Sequence, residues 1–333
     1  MQDYIIQNKV KQFIKNYEQL KEVKGSWSMG MIKYSCALSL AIKNQYTNKE
    51  KIEENLKIIK DNTGIFSSFR GHSMYYIATL LSTKINVEGD FREILNIFQL
   101  LKDKKFWSDT YLPFVAITLY ENKDKIDMYT CINNMKYVYE FMKKHHPFLT
   151  STDDYCRIAL IAINSKNLDK DLNYIEECYE KLSANGFYKS NNLQSLSHIM
   201  CFDKDRNDES INKIIRLKDK LSKQNCKLDG YAYPLIGAIS LLDCNEDIVV
   251  NQIKNVSEEL KEVKGFGNWE LGKNNRNMIS AAIVASAYAD CLKEESNIYT
   301  ISNNIILEII IAIEIACMLA MMSVIAASTS SSN

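Results

Sequence analysis

Proline and glycine are scarce in this sequence. Among 333 residues there are 3 prolines and 11 glycines, and both numbers are low for a chain of this length. Sheet proteins place Gly, Pro and Asn-Gly in the turns between their strands, yet Asn-Gly occurs here once, at Asn185–Gly186. The scarcity of turn residues argues against a fold rich in β-structure and favours long, uninterrupted helices.

The chain also lacks a surplus of either charge. It carries 41 basic and 41 acidic residues, so its formal net charge is zero. Binding to nucleic acid requires an excess of Lys and Arg that faces the phosphates. The basic runs, KDKK at 102–105 and MKK at 142–144, are short. We therefore expect no nucleic-acid partner.

Signatures of the common enzyme classes are missing. The sequence contains no GxGxxG, GxxxxGK[ST], HExxH, GxSxG or CxxC, which excludes the usual nucleotide-binding, zinc-protease, hydrolase and zinc-ribbon signatures. The acidic run Asp203–Ser210 has Asp208 and Ile214 where a calcium loop needs Gly and Glu. We expect no metal and no cofactor, and we favour a protein that is not an enzyme while leaving catalysis open.

No secretory signal opens the chain. The first residues, MQDYIIQNKVKQF, lack the long apolar stretch of a signal peptide. Several of the 9 cysteines, such as Cys36 and Cys156, lie inside apolar runs, where a free thiol behaves as a small hydrophobic group. We expect a protein of the reducing cytoplasm.

What the sequence does contain is a repeat of about forty residues. Each repeat has an amphipathic segment, a loop with aromatic residues, and a short apolar segment centred on one residue that is small in all but one case. The central residues are separated by 41, 38, 43, 39, 40 and 43 positions. They are Ala37, Ala78, Ala116, Ala159, His198, Ala238 and Ala281. A period of that size is typical of stacked helical hairpins.

A duplicated hexapeptide supports the same period. LKEVKG occurs at Leu20–Gly25 and again at Leu260–Gly265, and a tryptophan follows each copy, Trp27 and Trp269. The offset of 240 residues equals six periods of forty. The two copies are therefore expected at equivalent places in the first and last repeats.

We predict an all-α fold of about seven helical hairpins in an open α-solenoid, with a closed α/α toroid as the alternative. Amphipathic helices are expected at 4–22, 48–61, 90–103, 123–144, 168–184, 208–223, 246–263 and 299–327, with shorter apolar helices between them. No linker rich in Pro, Gly or Ser divides the chain. We expect the hairpin array at 1–298, an apolar helix at 299–327 and a disordered polar tail at 328–333.

The C-terminal segment 305–327 is long enough to cross a bilayer. Its only charges are Glu308 and Glu314, and the balance of apolar and acidic residues leaves the energy of insertion near zero. Ala312, Ala316 and Ala320 form a stripe of small residues that lets another helix approach closely. We favour a soluble capping or self-associating helix, with an anchor at the cytoplasmic face of the membrane as the alternative.

The loops before the apolar segments are rich in aromatic residues. These are Trp27, Phe66, Phe69, Phe106, Trp107, Phe148, Phe187, Tyr188, Phe266 and Trp269. In one interpretation, which we favour, each aromatic fills a gap between stacked hairpins. In the other, they form an edge that grips a ligand or a peptide.

Polar residues near the starts of the apolar helices make that edge the predicted place of any binding site. Free N–H groups at helix N-termini favour an anionic group there. The candidate residues are Trp27, Arg70, His72, Trp107, Asp109, Asp154, Arg157, Gln194, His198, Tyr231, Trp269 and Arg276. Gln194 and His198, four residues apart, are expected to meet on one helix face, as a buried polar pair or as a general base or ligand contact.

Five segments resemble a known family. They read SSFRGHSMYYIATLLS, YLPFVAITLY, DDYCRIALIA, NNLQSLSHIM and IIIAIEIACMLAMMSVIAAS, in this order. They are similar to segments of a Bacillota family called domain of unknown function number four thousand and three, and the resemblance covers nearly the whole chain. The family's C-terminal segment is rich in Gln and Ala, whereas this one is rich in Ile. Because the family has no assigned activity, the resemblance implies no site residue.

We expect an interaction or scaffold protein that binds a protein or peptide. Solenoids present long surfaces to partners, and the sequence shows no catalytic set of residues. An enzyme with its active site in the mouth of a toroid is one alternative, and a tail-anchored membrane adaptor is another.

Overall fold

A computed structural model of the chain is helical wherever it has regular structure. It describes residues 2–25, 29–84, 86–203 and 205–296, together with Ile313, Ala316 and Cys317. Of His72 and residues 293–296 only the backbone is described. These ranges contain no β-strand, so the predicted all-α class is confirmed.

Two kinds of helix alternate along the described ranges. The amphipathic helices are Gln2–Leu20 (α1), Lys49–Asn62 (α3), Val87–Asp103 (α5), Met128–His145 (α7), Leu168–Ala184 (α9), Asp208–Lys223 (α11) and Glu246–Lys261 (α13). The apolar helices are Ile32–Ile42 (α2), His72–Leu81 (α4), Leu112–Glu121 (α6), Tyr155–Asn164 (α8), Asn191–Ile199 (α10), Tyr233–Ser240 (α12) and Lys273–Ser296 (α14).

The predicted helix bounds at 168–184 and 208–223 agree with α9 and α11. The helix predicted at 123–144 begins later, at Met128. Lys123–Lys125 forms a separate 3-10 turn, and the Asp127 side chain then accepts a hydrogen bond from the Thr130 N–H at 2.8 Å. A side-chain acceptor at the N-cap position favours the start of a helix, so the Asp127 cap explains why α7 begins at Met128.

The long apolar helix predicted at 299–327 is not found within the described residues. Ile313, Ala316 and Cys317 are helical and buried, but the rest of that segment, with Ala312 and Ala320, and the tail at 328–333 lie outside the described residues. In the described ranges, no helix combines the length and the apolar character needed to cross a membrane.

The chain divides into two compact units. The terminal unit consists of residues 1–13 and 173–333, and the middle unit consists of residues 14–172. In the middle unit, α3 packs on α4, α5 on α6 and α7 on α8, and the successive apolar helices α2, α4, α6 and α8 contact one another in that order. Amphipathic and apolar helices therefore pair in chain order, as expected of hairpins.

The terminal unit follows the same pattern. There α11 packs on α12 and α13 on α14, and α12 contacts both α10 and α14. The first turns of α1 also belong to this unit and contact its last hairpin. Lys9 Nζ lies 2.8 Å from Asp290 Oδ2, and the ring centroids of Phe13 and Phe266 are 5.3 Å apart.

The two copies of LKEVKG adopt the same local conformation. The Val23 N–H donates to the Leu20 carbonyl at 3.3 Å, and the Val263 N–H donates to the Leu260 carbonyl at 3.0 Å. Gly25 and Gly265 end the copies with φ angles of 76° and 96°, a region that residues with a side chain rarely adopt. Each copy thus forms the same turn after an amphipathic helix, as predicted.

The apolar helices are buried on all sides. Every residue of 112–120, 155–162, 193–199 and 234–240 is buried, and so is every residue of 277–289 in α14. A helix that is apolar around its whole circumference is expected in a core. Over these ranges the helices offer no free face, so the surface that the described residues present to a partner belongs mainly to the loops and the amphipathic helices.

Candidate functional site

We call the loops that join an amphipathic helix to the following apolar helix the aromatic loops. They are residues 63–71, 104–111 and 146–154 in the middle unit, and 185–190, 224–232 and 262–272 in the terminal unit. The earlier loop of the same kind contains Trp27, which lies outside the described residues.

Four aromatic loops each bury one phenylalanine. Phe69 makes edge contacts with Phe91 and Phe98 of α5, at centroid distances of 5.5 and 4.9 Å. Phe106 meets Tyr155 at 5.1 Å, and in the terminal unit Phe187 meets Tyr233 at 5.2 Å and Phe266 meets Phe13 at 5.3 Å. Because these partners lie on other hairpins, the buried rings fill the gaps between hairpins, as the first interpretation expects.

The same four loops each expose a second aromatic residue, and each of the other two loops exposes its one aromatic residue. The exposed fractions are Phe66 96%, Trp107 72%, Phe148 98%, Tyr188 83%, Tyr231 50% and Trp269 101%. Single exposed apolar side chains are common on protein surfaces. Their recurrence in equivalent loops is what distinguishes this set. Of the nine described aromatic residues predicted for this edge, four are therefore packed between hairpins and five project into solvent.

Direct contacts tie aromatic loops to neighbouring loops or helices within each unit. In the middle unit the hydroxyl oxygens of Ser68 and Ser108 are 3.5 Å apart, which joins the first two loops. In the terminal unit Lys273 Nζ donates to Asn225 Oδ1 at 2.6 Å, and Asn277 Nδ2 donates to the Lys227 carbonyl at 3.2 Å. In both units, exposed rings therefore project from loops that are hydrogen-bonded to a neighbouring loop or helix.

The carboxylates of the aromatic loops bind backbone N–H groups. Asp109 accepts from the N–H groups of Tyr111 and Leu112 at 2.9 and 3.3 Å, where α6 begins. Asp154 accepts from the Ser151 N–H at 2.9 Å in a capping box. Glu270 accepts from the N–H groups of Gly265 and Gly267 at 3.0 and 3.1 Å. These acids therefore shape their own loops.

Two of the candidate arginines also hold loops in place. Arg70 donates to the carbonyls of Lys60 and Thr63, both at 2.6 Å, at the end of α3 where the helix dipole favours a cation. Arg276, which is 3% exposed, donates to the Phe266 carbonyl at 3.0 Å and to Asn268 Oδ1 at 2.9 Å. Burial lowers the pKa of Arg276. Both guanidinium groups are engaged in structural hydrogen bonds.

Arg157 pairs with the candidate Asp154, and the charges of Arg157 and of the candidate Asp109 act on Tyr111. Arg157 Nη2 lies 2.6 Å from Asp154 Oδ1 and 3.6 Å from Asp153 Oδ2. Burial opposes the charge of Arg157, but the two carboxylates outweigh it and raise the pKa. Burial, followed by Asp153 and Asp109, raises the pKa of Tyr111 to about 12. Sequence reasoning missed Tyr111, although its place between the cap at Asp109 and the start of α6 was a usable signal.

Gln194 and His198 lie buried on α10 of the terminal unit. Neither Nε2 nor Oε1 of Gln194 forms a hydrogen bond with any described residue. Both members of the predicted pair are therefore buried on one helix, but no hydrogen bond joins their side chains. A spacing of four residues places both Cβ atoms on one face, but it does not select the rotamers that a hydrogen bond requires.

Two other candidates fall at the edges of helices. His72 is the first residue of α4 and follows Gly71, whose φ angle is 74°; its side chain is outside the described set. Tyr231 lies in a 3-10 turn, Gly230–Ala232, before α12. Among the described residues of each unit, the candidates do not all belong to one polar site, because Arg70 binds carbonyls at the end of α3 and the Gln194 side chain has no hydrogen-bond partner.

A shallow cavity of about 420 Å³ lies away from the aromatic loops, at the loop between α8 and α9. Its lining residues are Asn134, Tyr137, Ser165, Lys166, Leu168 and Asp169. The Tyr137 hydroxyl donates to Asp169, and the Ser165 hydroxyl donates to Asp171. The cavity contains none of the residues predicted from the sequence.

Comparison with known proteins finds similarity along nearly the whole chain. The model of a family described as "Protein of unknown function (DUF4003)" matches residues 16–316. The chain is similar to the uncharacterized protein YeaA of Bacillus subtilis (strain 168), with 25% identity over 307 residues that cover 90% of this chain and 91% of that protein. No solved structure matches the chain.

Proposed function

Since this chain belongs to the DUF4003 family of proteins of unknown function, we propose a function from its site alone: it is a non-enzymatic interaction protein. In each unit the contact surface consists of the exposed aromatic side chains of that unit's aromatic loops. The protein or peptide partner and the cytoplasmic location inferred from the sequence stay predictions, as does the arrangement of the hairpins in a solenoid or a toroid.

One observation carries the proposal. In four aromatic loops one ring is buried against another hairpin while a second ring is exposed, as with Phe187 and Tyr188. The buried ring and the capping acids hold the loop in place, so the exposed ring loses little freedom when it binds. Trp and Tyr are also the residues that most often dominate the energy of an interface.

Because the apolar helices are largely buried, a partner would contact the protein at these loops. Repeat proteins commonly bind partners on a concave face, but the described residues of α6, α8, α10 and α12 have no exposed face of this kind. The polar candidates Arg70, Asp109, Asp154 and Arg276 are occupied by structural hydrogen bonds. Within the described ranges, no observation favours the enzyme or the tail-anchored adaptor.

The test compares variants of the full-length protein. Trp107→Ala with Phe148→Ala removes exposed rings from the middle unit, and Tyr188→Ala with Trp269→Ala removes them from the terminal unit. A matched control, Tyr4→Ala with Tyr129→Ala, removes aromatics that are exposed on α1 and α7 outside the aromatic loops.

Material captured from a lysate of the source bacterium is then quantified, proteins and lipids separately. We expect the loop variants to lose material that the wild type and the control retain, with unchanged thermal unfolding in all of them. If the loop variants capture the same material as the wild type, the proposed contact surface is wrong.

A further inference from the structure

The exposed rings of the aromatic loops project instead of lining a cleft. Phe66, Phe148 and Trp269 are between 96% and 101% exposed, which means that neighbouring atoms cover almost none of their surface. Aromatics in a ligand or peptide pocket are largely covered already, because they line a concave wall. Rings that project from loops suit a partner that closes around them, as the interfacial region of a lipid bilayer does.

Lysines accompany the two described tryptophans. Lys104 and Lys105 precede Trp107, and Lys264 precedes Trp269. All three lysines are exposed, and none of them forms an ion pair with a described residue. Long cationic side chains beside aromatic rings can reach the headgroups while the rings enter the apolar layer.

The acids of the same loops are committed elsewhere. Asp109 and Glu270 accept backbone hydrogen bonds next to these tryptophans. Asp154 pairs with Arg157, and Glu262 pairs with Lys261 at 3.8 Å. The loop 224–232 has no net charge, because the negative charge of Asp229 offsets the positive charge of Lys227. Around Trp107 and Trp269, the charges left for a partner are positive, which favours a partner surface that is negative.

From this geometry we infer that the partner of the aromatic loops is an anionic lipid surface. The inference rests on the proposed function, because it requires the same loops to be the contact surface. In the middle unit the Trp107 ring would enter the interfacial layer while Lys104 and Lys105 face the lipid phosphates. In the terminal unit Trp269 and Lys264 would have the same two roles. A protein partner is the competing outcome of the test.

The chain carries its own probe for this test. Its 3 tryptophans, at 27, 107 and 269, all fall in the loops that lead into apolar helices, so their fluorescence reports on these loops. Full-length protein is mixed with vesicles of phosphatidylcholine alone or of phosphatidylcholine with phosphatidylglycerol. We expect a blue shift of the emission, protection from acrylamide quenching and co-sedimentation with the anionic vesicles only, all reversed by added salt.

Lysine variants test the charge requirement. Lys104→Gln with Lys105→Gln and Lys264→Gln should weaken binding to the anionic vesicles by about fivefold for each lysine removed. The matched control, Lys51→Gln with Lys57→Gln, removes lysines that are exposed on α3 and should leave the affinity unchanged. Trp107→Ala with Trp269→Ala should abolish most of the binding.

Absence of vesicle binding by the wild type at low salt overturns the lipid inference. Binding that persists in the tryptophan variant overturns it as well, because another segment then carries the contact. In either case the proposed function stands if the aromatic-loop variants lose a captured protein, and the partner is then that protein. If the variants lose neither lipid nor protein, the proposed function itself fails.

Discussion

Lys9 of α1 and Asp290 of α14 form a buried ion pair in the terminal unit. Lys9 Nζ lies 2.8 Å from Asp290 Oδ2, and the side chains are 2% and 18% exposed. Burial lowers the pKa of Lys9, although Asp290 opposes the shift. The pair joins the first helix to the last hairpin, which makes the start of the chain part of the terminal unit.

Removing Asp290 should cost much more stability than removing the whole pair. Asp290→Asn removes the carboxylate that lies 2.8 Å from the buried Lys9 ammonium, and we expect a loss of about 3–5 kcal/mol in the free energy of unfolding. Lys9→Met combined with Asp290→Leu removes both charges and should restore most of that loss. Urea denaturation measures the free energy of unfolding of the single and the double variant. The control is Glu259→Gln, which changes an exposed contact to Gln7 and should stay within about 0.5 kcal/mol of the wild type. Equal losses in the single and double variants would contradict the expectation.

The adjacent residues Phe187 and Tyr188 should differ sharply in their effect on stability. Phe187→Ala removes a buried ring that contacts Tyr233 and should cost about 3–5 kcal/mol. Tyr188→Ala removes an exposed ring and should change stability by no more than about 0.5 kcal/mol. Chemical denaturation of both variants checks this. Similar losses would show that Tyr188 is packed and would remove it from the proposed contact surface.

Gly237 marks a close approach of α10 and α12. A Cβ atom at this position would lie 2.8 Å from Leu196 Cδ1 and 3.3 Å from Ile199 Cγ2. Gly237→Ala therefore crowds the packed helices and should cost about 1–3 kcal/mol. Gly64→Ala is the control, since no atom lies within 4 Å of its Cβ position. If both variants melt at the wild-type temperature, the helices can separate without cost and the close packing is not essential.

The buried thiols should make the protein sensitive to alkali. Burial raises the pKa of Cys36 and Cys156 from 9.0 to about 12. Because the thiol pKa is higher in the folded state, the unfolded chain loses this proton at a lower pH than the folded chain does. The thiol's contribution to the free energy of unfolding is therefore fully present below pH 9 and is lost as the pH rises toward 12. Each thiol contributes a slope of about 1.4 kcal/mol per pH unit in that range.

The variants Cys36→Ala and Cys156→Ala isolate this effect. Each variant should lower the alkaline slope of the unfolding free energy by about 1.4 kcal/mol per pH unit, whatever its effect at neutral pH. Denaturant unfolding in a series of buffers above pH 9 measures the slope. An unchanged slope in both variants would show that these thiols are not buried in the folded state.

Helix positions were predictable because their signals are local. The apolar spacing within 168–184 and 208–223 specifies one buried face, and α9 and α11 occupy those residues. The start of α7 was missed because a 3-10 turn of three residues precedes it. A turn of this kind depends on the cap at Asp127 more than on the apolar pattern, so periodicity alone could not place it.

The roles of the loop residues were not predictable from their order in the chain. In one loop the buried ring comes first, Phe106 before Trp107, and in another it comes second, Phe69 after Phe66. Arg157 and Arg276 begin equivalent helices, yet one pairs with a carboxylate and the other binds a carbonyl. Each outcome depends on what the neighbouring hairpin presents.

By itself, the sequence determined the helical class, the alternation of amphipathic and apolar helices, and the family, because these depend on spacing within short segments. Only the tertiary structure decided which aromatic of each loop is buried and which candidate polar residues cap helices. It also decided that Lys9 meets Asp290. Those outcomes depend on contacts between residues far apart in the chain, and local periodicity carries no information about such contacts.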